Sequence, residues 1–134
     1  MNTRPSHKEL TRKLREASAL LASSGFLATD IIKLGNDFQA LKCYTSEEQR
    51  DALGAAFSEV TAKNYRGQSP PDKSFEEATR GSDMFTFVWT SAYFKQKMYL
   101  KFCLQESDEY EETDLYIFSL HIDSPKPPQQ RRGK

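Results

Sequence analysis

The sequence predicts an α+β domain in which N-terminal helices pack on a C-terminal antiparallel β-sheet. Apolar residues repeat at helical spacing in the first 60 residues, whereas from Met84 onward they alternate with polar residues. Alternation of this kind marks strands with one face in a core. Helices followed by strands are typical of the α+β class.

Length and charge are consistent with one domain and indicate no class of partner. The chain has 134 residues, 37% of them hydrophobic, and its acidic and basic residues balance at 19 each. We expect a single domain over residues 1–125 and a disordered tail over residues 126–134, which are basic and rich in proline. The first 15 residues hold five Lys or Arg and one acid. Such a basic end can hold phosphates, but it is more typical of a solvated chain end.

Two capping signals open the predicted helices. Ser6 with Glu9 begins a helix expected over residues 7–22. Thr45 with Glu48, or Ser46 with Gln49, begins a second helix expected over residues 46–62. The segment FLATDIIKLG between them predicts a short strand over residues 26–28 and leaves open whether one helical turn follows.

The rest of the chain is predicted to be a long irregular segment and three strands. Residues 64–83 contain two glycines and two prolines and show no sustained period, which indicates a functional or a disordered loop. The strands are expected over residues 84–90, 98–105 and 115–122, with a turn at 91–97 and an acidic loop at 106–114.

The last two strands are predicted to form a hairpin whose register follows from matching their apolar faces. Since side chains alternate with period two, the numbers of paired residues have an even sum, near 220. The expected pairs are Met98 with Ile122, Tyr99 with His121, Leu100 with Leu120, Lys101 with Ser119, Phe102 with Phe118, Cys103 with Ile117 and Leu104 with Tyr116.

This register gathers a phenol, an ammonium, a hydroxyl and an imidazole on one face of the sheet. They belong to Tyr99, Lys101, Ser119 and His121. These groups suit proton transfer and charge stabilisation at a phosphate. The alternative is that this face is merely the solvated side of an antiparallel sheet.

Other chemistry has no signature in the sequence. Glycine-rich phosphate loops, paired-cysteine motifs and serine nucleophile elbows are absent, and we expect neither a metal nor a cofactor. Cys43 and Cys103 are far apart, which favours a reducing cytoplasm. No apolar run reaches the length of a membrane span, and the N-terminus lacks the apolar stretch of a signal peptide.

Several short strings, taken in order, resemble the MqsR family of bacterial toxins and its MqsR-like branch. They are NYRG, PPD, FVW, YLKF and IFSLH, and they lie between residues 64 and 121. Members of this family are ribosome-independent mRNA interferases with a RelE-like fold. The resemblance therefore implies a toxin of a type II toxin–antitoxin system, a metal-independent endoribonuclease that cleaves single-stranded mRNA and binds a cognate antitoxin protein.

The resemblance also implies roles for individual residues. Tyr99 matches the family's tyrosine in a YxK strand, Arg66 its basic residue after a tyrosine, and His121 its basic residue in the last strand. With Lys101 these form the expected catalytic set, and Ser119, Tyr65 and Trp89 form the expected substrate-binding set.

Two positions depart from the family pattern. The best-known members have lysine after Ser-Phe where this chain has Ser-Leu-His, and some have glutamine where it has Thr90. The alternative function is therefore a non-catalytic interaction module, or a degenerate toxin fold, that binds a protein partner through the sheet face.

Overall fold

The computed structural model describes residues 4–107 and 112–123. In this part of the chain there are three α-helices and four strands: α1 (His7–Ser23), β1 (Leu27–Ala28), α2 (Ile31–Ala40), α3 (Ser46–Glu59), β2 (Met84–Ser91), β3 (Gln96–Ser107) and β4 (Glu112–Ile122). Two short 3₁₀ helices, Ala62–Asn64 and Glu77–Thr79, interrupt the otherwise irregular segment before β2. The α+β class is confirmed, whereas the predicted tail lies outside the described residues. No described helix is long and apolar enough to cross a membrane.

The four strands form one sheet in the order β1-β4-β3-β2. The pairs β2–β3 and β3–β4 are antiparallel, as predicted, but β1 runs parallel to β4, with Leu27 beside Tyr116 and Ala28 beside Ile117. The sheet is therefore mixed, and the expectation of a purely antiparallel sheet was wrong. A two-residue strand is too short to show its partner or its direction in the sequence.

The predicted capping signals begin α1 and α3. The Ser6 hydroxyl accepts a hydrogen bond from the Glu9 amide at 3.0 Å. At α3, Thr45 and Glu48 form a reciprocal capping box, with bonds of 3.0 and 3.1 Å. This helix ends at Glu59, earlier than predicted, because the chain extends at Val60 before entering the first 3₁₀ helix.

Helix α2 is longer than the single turn that the sequence left open. Asp30 caps it by accepting a hydrogen bond from the Lys33 amide at 3.0 Å. Leu34 and Phe38, one turn apart, are its buried residues. Their spacing is helical, but two contacts to the core are too few to establish a period in the sequence.

The hydrophobic core lies between the sheet and the helices, and Leu34 and Phe38 of α2 belong to it together with residues of α1 and α3. Met98, Leu100 and Phe102 of β3 are fully buried, which confirms the predicted alternation as far as Phe102. Beyond it, Leu104 is only half-buried and Cys103, expected on the polar face, is fully buried. The Phe102 ring stacks on Phe87 with centroids 6.0 Å apart and meets Phe57 of α3 edge-on at 5.2 Å. Aromatic packing thus fixes which face of β3 is covered by helices.

A β-bulge in β4 changes the predicted register of the hairpin. The first four pairs, from Met98–Ile122 to Lys101–Ser119, are as predicted. The register then shifts by one residue, so that Phe102 pairs with Ile117, Cys103 with Tyr116 and Leu104 with Leu115. The predicted pairs Phe102–Phe118, Cys103–Ile117 and Leu104–Tyr116 were wrong. An extra residue in one strand reverses the alternation beyond it, which brings Ile117 and Leu115 into the core.

The hairpin also extends into the predicted acidic loop. Glu106 pairs with Thr113 and Ser107 with Glu112, so both strands continue past their expected ends. Residues 108–111, the remainder of that loop, lie outside the described residues.

The carboxylate of Glu59 holds the turn between β2 and β3. One oxygen accepts from Trp89 Nε1 at 2.8 Å and from the Ser91 hydroxyl at 2.6 Å, and the other accepts from the amides of Ala92 and Tyr93 at 3.0 and 2.9 Å. Burial on its own would raise the pKa of Glu59, but the four hydrogen bonds outweigh it and lower the pKa. This side chain therefore ties the end of α3 to the sheet as a carboxylate.

The substitution Glu59→Gln is expected to lower the free energy of unfolding by about 1–3 kcal/mol, because an amide nitrogen cannot accept the hydrogen bonds of one carboxylate oxygen. Urea unfolding at pH 7 measures this change. The exposed Glu77 provides a control, since Glu77→Gln removes the same charge elsewhere.

The difference between wild type and Glu59→Gln is also expected to depend on pH. Because the pKa of Glu59 is lower in the folded chain, its stabilisation is complete above the unfolded value of about 4.3. It is lost as the pH falls through the folded value, so the difference between the two proteins should shrink once the pH falls below about 4.3. A difference that stayed constant from pH 7 to pH 3 would contradict the role of the charged form.

Candidate active site

Tyr99 and His121 form a stacked pair on the face of the sheet opposite the core. They are directly paired between β3 and β4, as predicted. Their ring centroids lie 4.7 Å apart and the planes differ by 7°. One face of the Tyr99 ring is therefore covered by the imidazole, and on its other side Tyr99 is paired with the half-buried Val88 of β2.

The backbone fixes which nitrogen of His121 is available for chemistry. Nδ1 lies 2.9 Å from the carbonyl oxygen of Ile122. Since a carbonyl oxygen only accepts hydrogen bonds, Nδ1 is the donor and carries the proton. In the neutral ring Nε2 then has the free lone pair, so it is the atom that can accept a proton.

A cavity of about 270 Å³ lies beside this pair, between the sheet and the irregular segment. The residues lining it are Arg66, Gly67, Gln68, Asp72, Met84, Thr86, Tyr99 and Lys101. Three predicted catalytic residues, Arg66, Tyr99 and Lys101, therefore meet at one cavity. His121 does not line it and adjoins it through the stacked Tyr99.

Arg66 is held at the cavity by its own backbone and by local carbonyl groups. Its amide donates to the Thr86 carbonyl of β2 at 2.8 Å. Its Nη1 donates to the carbonyl oxygens of Lys63 and Tyr65 at 3.3 and 2.9 Å. These bonds use Nη1, and within residues 4–107 and 112–123 Nε and Nη2 make no hydrogen bond, so both can donate to a ligand.

Lys101 and Arg66 bring positive charge that nearby acids do not neutralise directly. Within the described ranges, no carboxylate oxygen lies within 4.0 Å of either cation. The Lys101 Nζ lies 5.3 Å from the centre of the Phe118 ring, the extra residue of the β4 bulge. Asp72 also lines the cavity, so one carboxylate opposes the two cations.

The predicted substrate-binding residues are not brought to the cavity. Trp89 is buried on the core face, where its Nε1 bonds Glu59, so it cannot stack on a base. Ser119 lies opposite Lys101, but it is buried and accepts a hydrogen bond from Lys33 Nζ at 2.5 Å. Thr90, named above as a departure from the family pattern and not as a substrate-binding residue, is exposed opposite Lys97, near the turn and outside the cavity.

Tyr65 supports the cavity wall from behind. Its ring meets Phe87 edge-on at 5.7 Å, and its hydroxyl donates to the Gln68 carbonyl. Gly67 passes so close to this ring that an added Cβ would lie 2.5 Å from the Tyr65 hydroxyl oxygen. Burial, followed by the charges of Asp72 and Asp83, raises the pKa of Tyr65, which keeps it a neutral donor.

Sequence reasoning missed several residues that shape the site. Met84 and Thr86 alternate with the buried residues of β2 and therefore lie on its polar face. The alternating pattern of this strand could have placed them there. Asp72 belongs to the PPD string, but nothing in that string predicts where its carboxylate lies. Lys33 and Asp37 cover the edge of β4, where the Leu120 amide donates to Asp37 at 3.2 Å.

In the described residues, no group of side chains is arranged to bind a metal ion, and the buried cysteine is poorly suited to thiol chemistry. No group of three or more His, Cys, Asp or Glu in residues 4–107 and 112–123 is placed to hold a metal ion. Cys103 is buried, and burial raises its pKa to about 12. This cysteine therefore remains a thiol and is a poor nucleophile.

Comparisons with protein-family models, curated proteins and solved structures give no match. The site is therefore interpreted from its own chemistry, which combines a stacked imidazole with two cations at an open cavity.

The substitution Asp72→Asn is expected to strengthen the binding of inorganic phosphate in the cavity. It removes the one carboxylate that, among the described residues, lines the cavity with Arg66 and Lys101. An opposing charge near 4 Å costs about 1 kcal/mol in water, so we expect a gain of about two- to fivefold. A phosphate titration followed by the amide NMR shifts of the cavity residues measures the dissociation constant.

The control for this titration is Asp51→Asn, which removes the same charge from the exposed face of α3. Equal gains for both variants would attribute the effect to net charge. Such a result would mean that the cavity does not bind phosphate specifically.

Proposed function

We propose that this chain is the toxin component of a type II toxin–antitoxin system, a cytoplasmic endoribonuclease of the MqsR-like kind with a RelE-like fold. It cleaves single-stranded mRNA without a metal or a cofactor. The observation that carries the proposal is the cavity lined by Arg66, Lys101 and Tyr99, with His121 stacked on Tyr99 beside it. Cations and an imidazole in this arrangement suit phosphoryl chemistry.

The scissile phosphate binds between Arg66 and Lys101. The free Nε and Nη2 donors of Arg66 form charge-assisted hydrogen bonds to the phosphate oxygens, and Lys101 contributes a second positive charge. Both cations stabilise the additional negative charge that develops as the phosphorus becomes five-coordinate. A volume of about 270 Å³ accommodates a phosphate together with its ribose.

The ribose on the 5′ side lies at the rim of the cavity, over the stacked pair. Nε2 of His121 accepts the proton of the 2′-hydroxyl, and the 2′-oxygen attacks the adjacent phosphorus. The bond from phosphorus to the 5′-oxygen breaks, the leaving oxygen takes a proton from the solvent, and the His121 imidazolium returns its proton to the solvent. The products are a 2′,3′-cyclic phosphate and a free 5′-hydroxyl, and every atom comes from RNA and water.

Tyr99 acts as a positioning residue for the imidazole. Its stacked ring and the Ile122 carbonyl together fix the plane and the tautomer of His121. Tyr99 also lines the cavity, where its ring packs against a base of the substrate. A cognate antitoxin protein, bound as a separate chain, completes the proposal.

Replacing His121 by Ala is expected to reduce cleavage of single-stranded RNA by about 10²- to 10⁴-fold, the usual contribution of a general acid or base. Replacing Arg66 by Ala is expected to reduce it by about 10²- to 10³-fold, the usual contribution of one group that stabilises the developing charge. Purified wild type is incubated with labelled RNA and EDTA beside the two variants. The ends of the products are then tested with a phosphatase and a polynucleotide kinase. The wild type should cut in EDTA and leave cyclic phosphate ends.

Two controls separate chemistry from folding. Arg80→Ala removes an exposed arginine outside the cavity and should keep full activity. The thermal unfolding midpoints of all variants should remain near that of the wild type, because Arg66 is exposed and His121 half-buried. Absence of cleavage by the wild type, or equal cleavage by all four proteins, would reject the enzyme and favour the non-catalytic interaction module.

A further inference from the structure

Helix α1 carries a basic stripe that the proposed reaction does not use. Lys8, Arg12 and Arg15 are exposed and lie at i, i+4 and i+7, on one side of the helix. Together with His7 and Thr11 they line a shallow groove of about 420 Å³, here called the α1 groove.

The cations of the α1 groove have no acidic partner in the described part of the chain. No carboxylate oxygen there lies within 4.0 Å of Lys8, Arg12 or Arg15. Arg4, just before the helix, differs because it is paired with both Glu9 and Asp83. The groove is thus a surface of uncompensated positive charge.

A series of contacts leads from the α1 groove to the cavity. Thr11 and Arg15 also line a second groove, of about 320 Å³, together with Thr61 and Ala62. Ala62 begins the 3₁₀ helix whose next residue, the exposed Lys63, accepts a hydrogen bond from Arg66 at its carbonyl. Since Arg66 lines the cavity, the cations Arg15, Lys63 and Arg66 follow one another through this second groove and the 3₁₀ helix to the proposed phosphate site.

We propose that the α1 groove binds the phosphate backbone of the RNA strand that flanks the cleavage site. This inference rests on the proposed function, because it assigns the cavity to an RNA phosphate. Seven residues of α-helix span about 10 Å, and a stacked strand rises about 3.4 Å per nucleotide. The stripe therefore spans about three nucleotides and binds them without reading their sequence.

The same stripe is poorly suited to a membrane surface. A helix that lies in a lipid interface presents an apolar face to the acyl chains beside its basic residues. The apolar residues of α1, Leu10, Leu14, Ala17 and Leu21, are instead buried in the core. The groove itself is completed by His7 and Thr11, which are polar.

Salt dependence of binding tests the proposal without requiring cleavage. The probe is a labelled RNA of about 12 nucleotides with 2′-O-methyl riboses, which lack the attacking hydroxyl, and its affinity is measured by fluorescence anisotropy. Each lost phosphate contact reduces the slope of log affinity against log salt by about 0.7. The triple variant Lys8→Gln, Arg12→Gln and Arg15→Gln should therefore bind more weakly and have a slope smaller by about two.

When the salt concentration rises from about 50 to 200 mM, the affinity of the wild type for RNA should fall by a factor about 20 times larger than the factor for this variant. The matched control is Lys42→Gln, Arg50→Gln and Lys95→Gln, which removes three exposed cations outside the groove. The control should keep the wild-type slope. Equal slopes for the two triple variants, or no binding of RNA by the wild type, would overturn the proposal.

Cleavage of unmodified RNA separates this inference from the proposed function. The α1 variant should raise KM for an RNA of about 12 nucleotides with little change in kcat, and should cut one of about four nucleotides like the wild type. If the wild type cuts neither RNA, the proposed function is wrong. The salt slopes would still show whether the α1 groove binds RNA phosphates. Binding to phosphatidylserine vesicles and not to RNA would assign the groove to a membrane surface and overturn the proposal.

Discussion

The pairing of β3 on both of its edges is the constraint on which the core and the site depend together. Bonded to β2 and β4, this strand cannot rotate, so its alternate residues have fixed directions. Leu100 and Phe102 face the helices, whereas Tyr99 and Lys101 face the cavity. A slip of one residue would bury the Lys101 ammonium without a partner, at a cost of several kcal/mol. The hydrophobic core therefore enforces the register of the polar side chains.

Because of the bulge in β4, this strand contributes polar side chains to the candidate site and apolar side chains to the core. On one side of it, Ser119 and His121 stay opposite Lys101 and Tyr99, and on the other side the alternation is reversed. Ile117 enters the core, and the extra Phe118 lies beside the Lys101 ammonium. Bulges are frequent next to active sites because they redirect a side chain without ending the strand. Here the bulge supplies an aromatic ring against which the cation rests.

The sequence pattern correctly placed residues on strands with a strong periodicity. It failed where two registers fitted the sequence equally well. Tyr99 and His121 were placed together because β3 alternates strictly. The bulge was hidden because the run from Leu115 to Phe118 is apolar at every position, so either parity fits it. Trp89 was assigned to the substrate from a family resemblance, although its parity with Phe85 and Phe87 already indicated the core. Asp72 and Arg66 meet the sheet through an irregular segment, whose path no local pattern determines.

The position of Arg66 depends on a residue that was expected to touch the substrate. Tyr65 joins the irregular segment to β2 through its bridge with Phe87, and its hydroxyl closes the turn at Gln68. The ring lies so close to Gly67 that a side chain there would displace it. With the segment fixed on both sides, Arg66 has little backbone freedom, and its guanidinium is further held by two carbonyl groups. In the proposed function, such prior ordering lowers the cost of binding a phosphate, because the entropy of the loop is lost on folding and not on binding.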